Sequence, residues 1–392
     1  MILDKLFQLM AEKQASDIFI SAGVPIHIKI QGNTLPVNQQ LMDSAMIEKI
    51  AFELMSPDQL RTFEATMEMN LSFGVPNIGN FRINIFRQRA SISIVVRYIL
   101  GNIPALDTLA LPSVLTELIM EKRGLILIVG STGSGKSTTI ASMLDHRNAN
   151  RSGHILTIED PIEFLFKHKK SIVNQRELGM DTLGWEPALK NAMRQAPDCI
   201  LIGEIRDKET MQAAIAYAQT GHLCLATLHA NNSYHALNRV INFFPLDTRT
   251  SLYLDLSASL KAIVSQRLVR KPDGKRTPAA EVLLNTRHVQ ELIENGEVLA
   301  VKEAMEQSLA PGSQTFEQDL FRLYREGIIT LDEALSNADS PTNLSWLINN
   351  SEISNSAKKE DLHVEVPLDF AETSNGGTSF KEFTLSLNDA GE

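Results

Sequence analysis

One segment constrains this chain more than any other. Gly130-Ser-Thr-Gly-Ser-Gly-Lys-Ser137 matches G-x-x-x-x-G-K-[ST] at every fixed position. It follows the apolar run Leu125-Ile-Leu-Ile-Val129 and opens a helix predicted from Ser137 to Leu144. A strand, a glycine loop and a helix in that order form a phosphate cradle. Glycines let backbone N–H groups converge on phosphate oxygens, and the helix N-terminus adds partial positive charge. In such a loop Lys136 reaches the β- and γ-phosphates and the Ser137 hydroxyl can ligate Mg²⁺. Ser131, Thr132, Gly133, Ser134, Gly135 and Thr138 complete the cradle. The bound nucleotide expected here is ATP with Mg²⁺.

The rest of the chain is organised around that unit. Residues 1–100 read as a mixed α+β domain. Ile26, Ile28 and Ile30 alternate with polar residues as in a half-buried strand. Helices are predicted over Met42–Met55 and Pro57–Met67, with Asp43 and Ser56 as caps. Phe81–Arg87 and Ser91–Ile99 read as two more strands, together suggesting a small antiparallel sheet covered by helices. Two prolines and a glycine mark 101–112 as a linker. From 113 to about 270, short apolar runs at Leu125–Val129, Ile155–Ile158, Cys199–Ile202 and Leu223–Leu228 alternate with helices. A parallel sheet buried on both faces needs that rhythm. Residues 271–348 read as mainly helical, and 349–392 as a disordered acidic tail with short apolar islands at Val364–Val366 and Phe380–Leu387.

Charge and cysteine content exclude several classes. The formal net charge is −10, but Ser351–Glu392 holds nine acidic residues against three lysines, leaving −4 for the other 350 residues. A near-neutral body offers no support for a protein that coats nucleic acid. Cys199 and Cys224 are the only cysteines, so neither a disulfide framework nor a four-cysteine zinc site can be built. No apolar stretch approaches membrane-spanning length, and the N-terminus lacks the pattern of a signal peptide. A cytoplasmic protein is expected, reaching a membrane only through a partner.

Three further segments carry candidate chemistry. Cys199-Ile-Leu-Ile-Gly-Glu204 is an apolar strand ending in an acid, as a metal-binding strand of a P-loop protein would be, but Gly203 stands where such strands usually have Asp. Glu159, Asp160 and Glu163 cluster at the end of another strand. His222 and His229 mark the two ends of a third, too far apart to share one ion. Taken singly, each is also open to a plain structural reading as a strand end or a solvated acidic loop.

Taken together and in this order, they resemble the Walker A, Asp box, atypical Walker B and His box of the secretion ATPase superfamily. The glycine before Glu204 is the form that superfamily uses. Ala15–Gly23, Gly79–Phe86, Val173-Asn-Gln-Arg-Glu177 and Gln266-Arg-Leu extend the resemblance to the type IV pilus retraction ATPases over about residues 1–345. The resemblance implies a PAS-like N-terminal domain and a RecA-like P-loop ATPase core with C-terminal helices. It also implies a homo-hexameric ring at the cytoplasmic, inner-membrane base of a pilus, acting on a membrane platform protein.

Roles carry over by motif. Glu163 is the implied general base, Glu204 helps hold Mg²⁺ with Ser137, and His229 reports on the γ-phosphate. Arg82 and Arg97 are the implied arginine fingers. The segment His288–Asn295 lacks two arginines that principal, PilT-like retraction ATPases carry there, and the acidic tail is foreign to them. Both differences imply the accessory, PilU-like branch, with a PilT-like ATPase as a candidate partner in a hetero-assembly. Ala196 stands where Asp is usual. The competing readings are a principal retraction ATPase, a RecA-like nucleic-acid motor, or a nucleotide-binding adaptor without catalysis.

Overall fold

In the computed structural model, which describes residues 2–360 apart from 31, 77, 100, 101 and 309, two sheets organise the chain. The first comprises β1 (Asp17–Ile20), β2 (His27–Ile30), β3 (Asn33–Pro36), β4 (Glu68–Val75), β5 (Gly79–Gln88) and β6 (Ser91–Ile99). Its order is β3-β2-β1-β6-β5-β4, with every pairing antiparallel. Alternation along β5 buries Phe81, Ile83 and Ile85 while Arg82 and Asn84 face the other way. The buried residues pack with Phe7 and Met10 of helix Ile2–Lys13 and with Ile47 and Ala51 of helix Ser44–Leu54. Asp43 caps that helix through Met46 N at 2.7 Å, and Ser56 opens Pro57–Thr66 with a capping box. This is the expected α+β, PAS-like unit. The sequence reading missed β1, β3 and β4 as strands, because their polar, short or mixed patterns alternate weakly.

The second sheet comprises β7 (Gly124–Val129), β8 (Gly153–Glu159), β9 (Ser171–Glu177), β10 (Cys199–Ile202), β11 (Leu223–Leu228), β12 (Leu260–Arg270) and β13 (Arg276–Leu284). Its order is β13-β12-β7-β11-β10-β8-β9, parallel except for the β12–β13 pairing. Strand β7 explains its own unbroken apolar run. Leu125, Leu127 and Val129 enter one core with Ile200 and Ile202, whereas Ile126 and Ile128 enter another with Ile140, Met143 and Leu144. Both faces are covered, so every position is apolar.

The expectation of a mainly helical 271–348 needs correction at its start. Arg276–Leu284 contains Ala279, Ala280 and Glu281, good helix formers, yet it is a strand paired along its length with β12. Tertiary pairing overrides local preference there. The buried Glu281 carboxylate confirms the placement: it accepts from Ser233 N and Oγ, each at 2.6 Å, and from Ser265 Oγ at 3.0 Å. Helices follow at Arg287–Glu294, Val301–Glu306, Phe316–Arg325 and Leu331–Asn337.

The described chain divides into two units between Ser345 and Trp346. The last helix spans Pro341–Glu360, so the described part of the segment expected as a tail is helical. Val364–Val366 and Phe380–Leu387 lie outside the described residues. Among the described residues no helix is long and apolar enough to cross a membrane.

Candidate nucleotide site

Parallel pairing sets β7, β11, β10 and β8 side by side and pointing the same way. Their carboxyl ends therefore open on one edge, where ligands of open α/β sheets bind. Each of the four motifs hangs from one of those ends. The glycine loop follows β7, His229 follows β11, Glu204 follows β10, and Glu159 ends β8 with Asp160 and Glu163 just after it. Residues far apart in sequence are brought together by topology alone. Lys136, Ser137, Glu159, Glu163, Glu204 and His229 line one cleft.

The loop is shaped for phosphate. Gly133 and Gly135 have φ of +78° and +90°, where a side chain would be strained, and Gly135 leads directly into helix Lys136–Asn150. A Cβ on Gly130 would lie 2.6 Å from Gln266 O, so the loop also needs glycine for close approach. Lys136 Nζ donates to Gly130 O and Ser131 O, both at 2.9 Å, which holds its ammonium at the loop's mouth. Burial lowers its pKa from the ordinary lysine value, with Glu204 and Glu163 opposing that shift. Ser134 Oγ is buried without a protein partner.

Ser137 Oγ donates to Glu163 Oε1 at 2.9 Å. Glu204 is braced from two sides: Arg206 Nε donates to Oε2 at 2.8 Å, and His229 Nε2 lies 3.4 Å from Oε1. Arg206 also approaches Asp160 at 3.8 Å. Asp160 thus faces an arginine, while Glu159 is turned inward. Glu159 accepts from Thr157 Oγ1 at 2.6 Å and Gln175 Nε2 at 3.3 Å, and burial pushes its carboxyl up to about 7. The glycine at 203 has a packing reason. A Cβ there would lie 3.0 Å from Glu159 Cα and 3.1 Å from Ile158 O. The motif's missing Asp reflects the closeness of the Asp-box strand.

The residues present fit Mg²⁺ in the manner of a P-loop. No group of three or more His, Cys, Asp or Glu is placed to hold a metal among the described residues. Mg²⁺ bound to a nucleotide needs few protein ligands, because phosphates and water complete its shell. The Ser137 hydroxyl, with Glu204 across the cleft, offers that sparse oxygen set.

Arg82 and Arg97 sit directly opposite each other on β5 and β6 and share a second cleft, about 530 Å³, with Lys136, Ser137 and Thr138. They are thus brought to the site's edge, but each side chain is engaged elsewhere. Arg82 pairs with Glu177, and Arg97 Nε donates to Asp17 Oδ1 at 2.9 Å. Two residues that the sequence reading matched only as family motifs acquire places here. Gln266 Nε2 donates to Ser134 O at 2.9 Å and its Oε1 accepts from Thr139 Oγ1 at 2.7 Å, so β12 props the loop from behind. Glu177 is the second. For Gln266 the available signal was a polar residue just after the apolar run Ala262–Val264; Glu177 ends a strand of mostly polar residues and carried no such signal.

Comparison with known proteins agrees with this geometry. The family model described as Type II/IV secretion system protein matches residues 1–336. The type IV pilus ATPase PilU of Pseudomonas aeruginosa is 46% identical over 97% of this chain and 100% of its own length. The type IV pilus retraction ATPase PilT of the same organism is 37% identical over 88% of this chain and all of its own. A crystal structure of the pilus retraction motor PilT with bound ADP superposes with a TM-score of 0.81 at 40% identity, covering 87% of this chain and 98% of that one. The chain belongs to the Type II/IV secretion system protein family, among its type IV pilus retraction ATPases.

Proposed function

We propose that this chain hydrolyses ATP to drive type IV pilus retraction and twitching motility, in the accessory, PilU-like role. The observation that carries this is the convergence of four motifs from four adjacent strand ends on one cleft, in a chain 46% identical to a PilU.

The residues divide the work. Loop N–H groups and Lys136 bind the β- and γ-phosphates. Ser137 and Glu204 would hold Mg²⁺, which when bound neutralises charge developing on the phosphoryl oxygens. Glu163 orients the attacking water and takes its proton, a role open to a carboxylate beside the loop serine. His229 senses the γ-phosphate through the Glu204 carboxylate it faces. Arg82 and Arg97 supply positive charge from the N-terminal sheet. Hydrolysis then alters how residues 1–100 lie against 113–348 about the linker 101–112. A homo-hexameric ring, or one mixed with a PilT-like ATPase, passes that motion to an inner-membrane platform protein from the cytoplasmic side.

The test is ATP hydrolysis by the full chain, alongside twitching in cells. Lys136→Ala and Glu204→Ala should each abolish turnover, and normal hydrolysis by either would refute the assignment. Stimulation of the ATPase by DNA would favour a nucleic-acid motor. Restored retraction in cells carrying Glu204→Ala would favour an adaptor.

A further inference from the structure

We propose that Glu177 is a positioning residue that holds Arg82 in reserve and yields it to nucleotide phosphate. The proposal rests on the reading of Arg82 as a phosphate-directed arginine, and it adds the group that competes for it.

The geometry around Glu177 is divided between two elements. Oε1 faces the Arg82 guanidinium, while Oε2 accepts from Ile162 N at 3.1 Å. Ile162 adjoins Glu163, so one carboxylate ties an arginine of the first sheet to the loop carrying the candidate base. The side chains of Arg82 and Glu177 are only 16% and 9% exposed. A pair so screened from water is costly to break unless another charge replaces the lost partner. Arg82 also faces Arg97 across β5 and β6, and like charges directly opposite repel. Asp17 compensates Arg97, and Glu177 compensates Arg82.

Phosphate arriving beside Lys136 offers Arg82 a second anionic partner, because Arg82 lines the cleft that the glycine loop shares. If Arg82 transfers, Glu177 keeps, among the described residues, only the Ile162 N–H and becomes an under-compensated buried carboxylate. Part of the phosphate attraction is spent against that cost. Glu177 therefore lowers nucleotide affinity, and it does so only through Arg82. The same exchange links movement of the first sheet to the Ile162–Glu163 backbone.

The test measures binding of a fluorescent ATP analogue to the full chain and to E177Q, R82A and E177Q/R82A. Gln preserves an acceptor for Ile162 N but removes the charge. E177Q should bind about fivefold more tightly than the parent, and the gain should vanish in the R82A background. Unchanged or weaker binding by E177Q would overturn the proposal, as would an equal gain without Arg82. Melting curves confirm that each variant is folded. E177D, which keeps the charge but withdraws it by one methylene, serves if E177Q does not fold, and should show a smaller gain of the same sign. Hydrolysis by R82A at the parent rate would instead remove the underlying reading of Arg82.

Discussion

The Ser137 hydroxyl donates to Glu163 across 2.9 Å, joining the first turn of the loop helix to the Asp box. The hydroxyl proposed to hold Mg²⁺ and the candidate base thus stand within one hydrogen bond. Glu163→Gln should keep nucleotide binding and lose about 10²-fold or more in kcat, the scale of a removed general base. Ser137→Ala should instead raise the Mg²⁺ concentration needed for half-maximal activity. Steady-state kinetics across a Mg²⁺ titration separates the two, and equal Mg²⁺ dependence in both would count against these roles.

Gly203 carries a packing constraint rather than a catalytic one. Restoring the more usual acid by Gly203→Asp would push a Cβ to 3.0 Å from Glu159 Cα and 3.1 Å from Ile158 O. Both neighbours are backbone and cannot swing aside. Gly203→Ala should cost about 1–3 kcal/mol, and Gly203→Asp more, in denaturant unfolding. An Asp variant as stable as the parent would show that the β8 end relaxes freely.

The glycine loop and β7 were legible because motif and strand are contiguous, and the unbroken apolar run from Leu125 to Val129 has one physical meaning. Glu159, Glu204 and His229 were legible as residues, but as one site only through the family resemblance. Only the sheet order brings their strand ends together, and no local pattern encodes it. Strand β13 was misread because Ala279 to Leu284 favours helix until β12 pairs with it. The partners of Arg82 and Arg97 were hidden for a similar reason: Glu177 is 95 residues from Arg82, and Asp17 is 80 from Arg97.

Gln266 tests how far the loop depends on support from behind. Its amide meets Ser134 O and Thr139 Oγ1, and it is buried. Gln266→Ala would leave a buried carbonyl without its donor, at a cost of about 1–3 kcal/mol. Affinity for ADP should fall with it, because the cradle loses its backing. Gln266→Glu should keep the Thr139 contact and lose the Ser134 one. Thermal melts and ADP titration together check both, and a destabilised variant with unchanged ADP affinity would limit Gln266 to a folding role.

Ala196 lies at φ +49° and ψ 51°. That left-handed conformation costs an alanine about 1–2 kcal/mol, whereas Asn or Asp tolerates it through local hydrogen bonding. Ala196→Asn should therefore raise the melting temperature without altering ATP turnover. A lower melting temperature would mean that the surroundings, rather than the backbone, select alanine.

Glu159 gives the stability a pH dependence whose sign can be worked out. Burial raises its folded pKa to about 7 from an ordinary 4.5. Between those values the unfolded chain has released the proton while the folded chain keeps it. The folded state binds more protons, so stability falls as pH rises through that window and levels off above about 7. The full effect of one such group is on the order of 3 kcal/mol. Glu159→Gln removes the titration while keeping an acceptor for Thr157. The variant's stability relative to the parent should therefore increase from pH 5 to pH 8. Other carboxylates cancel in that difference, so unfolding of the two proteins at both pH values isolates Glu159. A difference that stayed constant would show that its carboxyl is already ionised at pH 5.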